Sequence, residues 1–176
     1  MNLPNKLTTL RIILVPVFIV FYLMGLNIAA VIVFIAASMT DYLDGYLARK
    51  NDMVTDYGKI MDPLADKLLV TSALVCMVQT WVVPAWMVII ILAREFLITG
   101  LRAVAAGKGI VIAAAWSGKI KTVTQMIAII FLIINNWPFS LINFPFARIM
   151  LWVALLMTVY SGVEYIYKSR DLFKDM

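Results

Sequence analysis

The sequence predicts an all-α fold: an integral membrane bundle of six transmembrane helices with a short amino-terminal interfacial helix, forming one domain over residues 1–176. Two observations carry this. The chain is 64% hydrophobic and only 14% charged, which leaves too little polar surface for a water-soluble fold. Several apolar stretches also approach the roughly 20 residues needed to cross a hydrocarbon core, and short polar joints separate them.

The elements follow in order. Pro4 and Asn5 begin a turn, and Leu7 and Leu10 then offer an apolar side, so residues 1–9 are expected as the interfacial helix. Membrane helices are expected over about 7–26, 28–49, 58–81, 84–106, 119–136 and 146–168. Pro16 should bend the first, which a membrane helix tolerates. No small-residue cleavage pattern follows that stretch, so it reads as a retained helix. Trp81, Pro84 and Trp86 mark one joint, and Asn135, Asn136, Trp137 and Pro138 another, because aromatic rings favour the headgroup level. Apart from Arg94 within a span and Arg148 on the far side, the basic residues fall on one face. Basic loops stay in the cytoplasm. Both termini are therefore expected on the cytoplasmic side of the cell membrane. The net charge of +5 then suits anionic lipid and phosphate at that face, and no nucleic-acid partner is expected.

Whole classes of chemistry drop out. The chain has no histidine and a single cysteine, Cys76, which removes histidine triads, thiolate zinc clusters and disulfides within the chain. What remains is acidic. Asp41, Asp44, Asp62 and Asp66 fall inside the second and third predicted spans, where an ionised carboxylate costs about 3 kcal/mol or more unless compensated. Asp41 and Asp44 are i and i+3, and Asp62 and Asp66 are i and i+4, so each pair shares a helix face. The short connection makes the two helices an antiparallel hairpin that brings the pairs together. Four converging carboxylates are tolerable when divalent cations neutralise them, and all-oxygen ligands suit Mg²⁺ or Mn²⁺. Two ions about 4 Å apart are a common clamp for phosphoryl transfer. The alternative for any one of these acids is a structural ion pair with Lys59, Lys67 or Arg94. Asp52 is read as solvated, Thr55 or Asp56 as a helix cap, and Glu164, Asp171 and Asp175 as surface or helix-end charges.

The full string is Asp41-Tyr-Leu-Asp44-Gly45-Tyr-Leu-Ala48-Arg49, eight residues, then Gly58-Lys-Ile-Met-Asp62-Pro-Leu-Ala-Asp66. It resembles the complete signature of the CDP-alcohol phosphotransferases, and the resemblance extends over essentially the whole chain. It implies that Asp41, Asp44 and Asp62 bind a metal pair, with Asp66 both a ligand and the base that takes the acceptor's hydroxyl proton. Gly45 and Ala48 would leave room for the nucleotide, and Arg49 would hold the pyrophosphate or the departing CMP. Thr55 matches a position that contacts cytidine, and Asn5 and Thr8 resemble the family's looser amino-terminal nucleotide contact. The same resemblance implies CDP-diacylglycerol as donor, membrane lipids as surroundings and a homodimer.

The acceptor is read from the second half. Arg94-Glu95-Phe96, Thr99-Gly100-Leu101-Arg102, Gly118-Lys119-Ile-Lys121-Thr122 and Ser161-Gly162-Val-Glu164-Tyr165 are similar to the corresponding strings of bacterial phosphatidylglycerophosphate synthases. That likeness implies glycerol 3-phosphate, bound by Arg94, Arg102, Lys119 and Lys121. Arg94 is mid-span and is expected in a polar cavity. Glu95, its direct neighbour, is expected to point away from it. Cardiolipin synthase and inositol phosphate transferase relatives share the signature, so another alcohol is the alternative acceptor. A cation channel or transporter is a more distant reading, but the chain lacks the two related halves such folds show; a lipid-binding scaffold is a third.

Overall fold

The computed structural model describes residues 3–50, 56–107 and 115–169; of these, the side chains of residues 3–5, 41–50, 56–60, 62, 63 and 66 lie outside the described set. Six long helices and one 3-10 turn account for nearly all of it. They are α1 (Leu3–Leu23), α2 (Asn27–Lys50), α3 (Asp56–Gln79), α4 (Ala85–Gly107), α5 (Trp116–Ile133) and α6 (Phe146–Lys168), with the 3-10 turn at Phe139–Ile142. No strand occurs among the described residues.

The expected interfacial helix and first span are one continuous element, α1. Pro4 sits in its first turn, where the missing N–H has no partner to lose, so nothing interrupts the helix before residue 7. The helix also runs on through Pro16.

The ends of α1, α3 and α5 are set by left-handed residues. At the end of α1, Leu26 N–H donates to Phe21 O (3.0 Å) and Gly25 N–H to Tyr22 O (3.1 Å), the Schellman pattern, with Gly25 at φ +75°. The same pattern closes α3, where Trp81 takes the left-handed position at φ 59° and Val82 N–H reaches Met77 O (2.9 Å). It closes α5 with Asn135 at φ 53°. Asn136 then locks the next turn: its Nδ2 donates to Phe144 O (2.7 Å) and its Oδ1 accepts from Ala147 N–H (2.9 Å).

In the bundle α1 packs on α2 and α3, and α6 packs on α4 and α5. Contacts of α2 with α5 and of α3 with α4 join the two groups. Close approach relies on small side chains. On α6 the buried residues Ala147, Leu151, Ala154, Thr158, Ser161 and Tyr165 recur at alternating steps of four and three, and Ala30, Ala37, Ala73 and Ala128 are fully buried on other helices. Outward positions are equally apolar: Ile28, Leu97, Leu156 and Val163 are all exposed. An apolar exterior around a small-residue interior suits lipid as solvent. Among the described residues α1, α5 and α6 contain stretches of 18, 18 and 23 residues long and apolar enough to cross a membrane. Helix α4 has comparable length but carries Arg94, Glu95 and Arg102.

Candidate active site

The four aspartates of the signature lie on consecutive helices that touch, joined by residues 51–55. Asp44 is six residues before the end of α2 and Asp62 six residues after the start of α3, so both sit about 9 Å along their helices from the hairpin. Asp41 and Asp66 lie nine and ten residues away, about 14 and 15 Å along. The backbone thus sets the four aspartates at two matched levels along the hairpin. Four aspartates at such positions, in a chain without histidine, fit hard divalent cations and suit no softer metal. The side chains of Asp41, Asp44, Asp62 and Asp66, and those of Asn5, Arg49 and Ala48, lie outside the described set, as does Thr55 entirely. Gly45 is on α2 between the levels of Asp44 and Ala48.

Helix α1 brings two polar residues to the same end of the bundle. Thr8 is fully buried. Arg11, which sequence reasoning treated only as one of many basic residues, is also fully buried. Its Nε donates to Ala37 O (3.3 Å) and to Thr40 Oγ1 (3.3 Å), immediately before Asp41. A guanidinium held there places positive charge against the turn of α2 before Asp41.

One step deeper lies a second polar cluster, built around Glu95 of α4. Its Oε1 accepts from Lys121 Nζ (2.5 Å) and from Arg94 Nη1 (2.9 Å), and its Oε2 is 3.6 Å from Lys67 Nζ. Lys67 also donates to Glu95 O (3.2 Å) and to Thr99 Oγ1. The expectation that Arg94 and Glu95 point apart is therefore overturned. Both side chains are long enough to bend back, and in a membrane interior the alternative to pairing is an uncompensated charge.

Arg94 is clasped as well as paired. Its guanidinium carbon lies 5.7 Å from the Tyr165 ring centroid. A Cβ at Gly162 would stand 3.3 Å from Arg94 Cγ, and one at Gly118 would stand 3.6 Å from Arg94 Nη2, so these glycines make room for it. Tyr165 in turn accepts from Ala115 N–H (3.1 Å) at the entrance of α5. Beside it, Ser117 donates to Glu164, which also accepts from Lys168 (2.5 Å); Glu164 is the helix-end charge expected of it.

Between α3, α4 and α5 lies a cavity of about 40 Å³ lined by Lys67, Thr71, Glu95, Lys121, Thr122 and Gln125, with apolar walls. Lys67 directly follows Asp66 in sequence, so helix α3 carries both a signature aspartate and a wall of this cavity. Of the predicted acceptor ligands, Lys121 lines it and Arg94 abuts it through Glu95. Arg102 and Lys119 do not: both are exposed, and Lys119 lies over the Trp116 ring at 5.5 Å. Lys67, Glu95 and Gln125 are cavity residues that sequence reasoning did not assign to a site. The available signal was faint, namely a lysine beside Asp66 and one amide at the end of the polar first half of α5.

Fold and site together define a class. A family model for CDP-alcohol phosphatidyltransferases matches residues 1–160, and the chain belongs to that family. Among its relatives, the CDP-diacylglycerol–glycerol-3-phosphate 3-phosphatidyltransferase of Bacillus subtilis is 50% identical, covering 98% of this chain and 97% of its own. Proteins of the same name from Rickettsia felis and Haemophilus influenzae are each 36% identical, covering 98% and 99% of this chain and 97% and 96% of theirs.

Proposed function

We propose that this protein is the membrane enzyme that transfers the phosphatidyl group of CDP-diacylglycerol to sn-glycerol 3-phosphate, giving phosphatidylglycerophosphate and CMP in phospholipid synthesis. The observation that supports it most is the pair of matched aspartate levels along the α2–α3 hairpin, with a cavity lined by two lysines opening on the same helix α3. Full-length likeness to three proteins named for this reaction supports the acceptor.

In this reading Asp41, Asp44, Asp62 and Asp66 hold two divalent cations, Mg²⁺ or Mn²⁺, which draw charge from the pyrophosphate oxygens when bound. The acceptor hydroxyl oxygen bonds to the β-phosphorus, the bond from that phosphorus to the CMP oxygen breaks, and the hydroxyl proton passes to the Asp66 carboxylate. Asn5, Thr8, Gly45, Ala48 and Thr55 receive the nucleotide, and Arg49 neutralises the departing CMP. Arg94 and Lys121, with Arg102 and Lys119 nearer the surface, attract the acceptor's phosphate. Catalysis of this kind is positioning and electrostatic stabilisation. The proposal includes six spans, both termini and the site at the cytoplasmic face, and the homodimer implied by resemblance.

The test is CMP release from CDP-diacylglycerol by the purified protein, supplied in turn with glycerol 3-phosphate, phosphatidylglycerol and inositol phosphate. Product is expected with glycerol 3-phosphate. Asp66→Asn is expected to lower the rate by about 10³-fold or more with thermal stability retained. Product with another alcohol alone would refute the assignment of the acceptor.

A further inference from the structure

Gln125 is 2% exposed and lines the cavity between α3, α4 and α5, yet neither its amide nitrogen nor its amide oxygen has a hydrogen-bond partner among the described residues. Buried amides are almost always paired, and an unpaired one is destabilising. Such a group is retained at a cavity wall when a ligand completes it.

The chemistry of the wall says which ligand group. An amide presents donors on its nitrogen and an acceptor oxygen side by side. A phosphate dianion has acceptors only, so it would satisfy Nε2 and leave Oε1 unmatched; the neighbouring ammonium groups of Lys67 and Lys121 suit it better. A hydroxyl both gives and accepts a hydrogen bond, and so completes Gln125 alone. Thr71 and Thr122, on the same wall, are neutral and suit a hydroxyl equally. A volume of about 40 Å³ holds on the order of three waters, which is space for the carbinol part of a small polyol and not for a second lipid headgroup.

We infer that Gln125 is the specificity-determining residue for the acceptor, binding the hydroxyl of glycerol 3-phosphate that does not react while the lysines hold its phosphate. This rests on the proposed function. That reaction consumes one of the two hydroxyls of glycerol 3-phosphate and leaves the other on the middle carbon. A site that pairs the middle hydroxyl fixes the rotation of the three-carbon chain, and with it the approach of the terminal hydroxyl to Asp66.

The test compares glycerol 3-phosphate with 3-hydroxypropyl phosphate, which keeps the reacting hydroxyl and lacks the middle one, in a CMP-release assay on the full chain in lipid micelles. The native protein is expected to use the analogue about ten- to a hundredfold less efficiently. Gln125→Leu is expected to raise the KM for glycerol 3-phosphate by a similar factor, to leave the KM for CDP-diacylglycerol unchanged, and to use both acceptors equally. Native protein that uses both acceptors equally would overturn the inference, and this arm does not depend on the folding of any variant. So would a Gln125→Leu protein that retains the native preference, since the amide would then be structural only. If the native protein releases CMP with neither compound but does so with another alcohol, the proposed function itself has failed and takes this inference with it.

Discussion

Glu95 meets three cationic side chains, from Lys67, Arg94 and Lys121, on three helices. The side chain of Lys121 is only 4% exposed, so removing the carboxylate strands an ammonium group where water reaches it poorly. Losing one partner of a buried pair commonly costs about 3 to 5 kcal/mol. The adjoining cavity relieves part of this, and we expect Glu95→Ala to lower stability by about 3 kcal/mol, with Glu95→Gln roughly midway because it keeps one acceptor oxygen. Denaturant titration in micelles checks the order; equal stability of all three proteins would contradict the role. At this scale the sequence was readable unevenly. The four aspartates stood out by spacing, because charge at helical intervals in an apolar span has few explanations, but their side chains lie outside the described residues and their role is part of the proposal. Glu95 did not stand out, since adjacent residues diverge on an ideal helix and only the tertiary approach of Lys67 and Lys121 draws the side chains together. Gln125 did not either, because an amide following the lysines and threonines of α5 becomes informative only once its lack of partners is known.

Helices were legible as apolar lengths, and their ends less so. The second and fourth expected spans lie within a residue of α2 and α4 at each end, whereas the fifth was placed three residues late at both ends. Gly118, expected at the opening of the fifth span, sits inside the first turn of α5, where it leaves space for Arg94. At the other end Asn135 adopts the left-handed conformation that stops the helix, a role open to asparagine and invisible in hydropathy. Trp81 ends α3 in the same way, against the usual cost of that conformation for a bulky residue. The α4–α6 contact yields a prediction for an element. Because a Cβ at Gly162 already stands 3.3 Å from Arg94 Cγ, Gly162→Ala should cost about 1 kcal/mol or less, and Gly162→Val about 2 to 3 kcal/mol as the branched side chain forces the helices apart. Thermal unfolding that ranks valine equal to native would show that the two helices are not tightly seated.

Across the whole molecule the arrangement separates two solvents. Apolar residues cover the outside of the helices, small ones line the contacts between them, and the polar groups gather where α2, α3, α4 and α5 meet. Helix α3 carries both Asp66 of the signature and Lys67 of the cavity. Composition alone announced the membrane, and the signature announced the hairpin. The cavity required the fold, since its lining comes from three helices distant in sequence. The proposal stands on a cluster of negative charge made tolerable by bound divalent cations, and manganese reports on that directly. Titration of the purified protein with Mn²⁺, followed by electron paramagnetic resonance, is predicted to show two saturable ions per chain, with broadening from their mutual proximity, and loss of that broadened signal in Asp62→Asn. Absence of saturable Mn²⁺ from the native protein, or binding unchanged by that substitution, would contradict it.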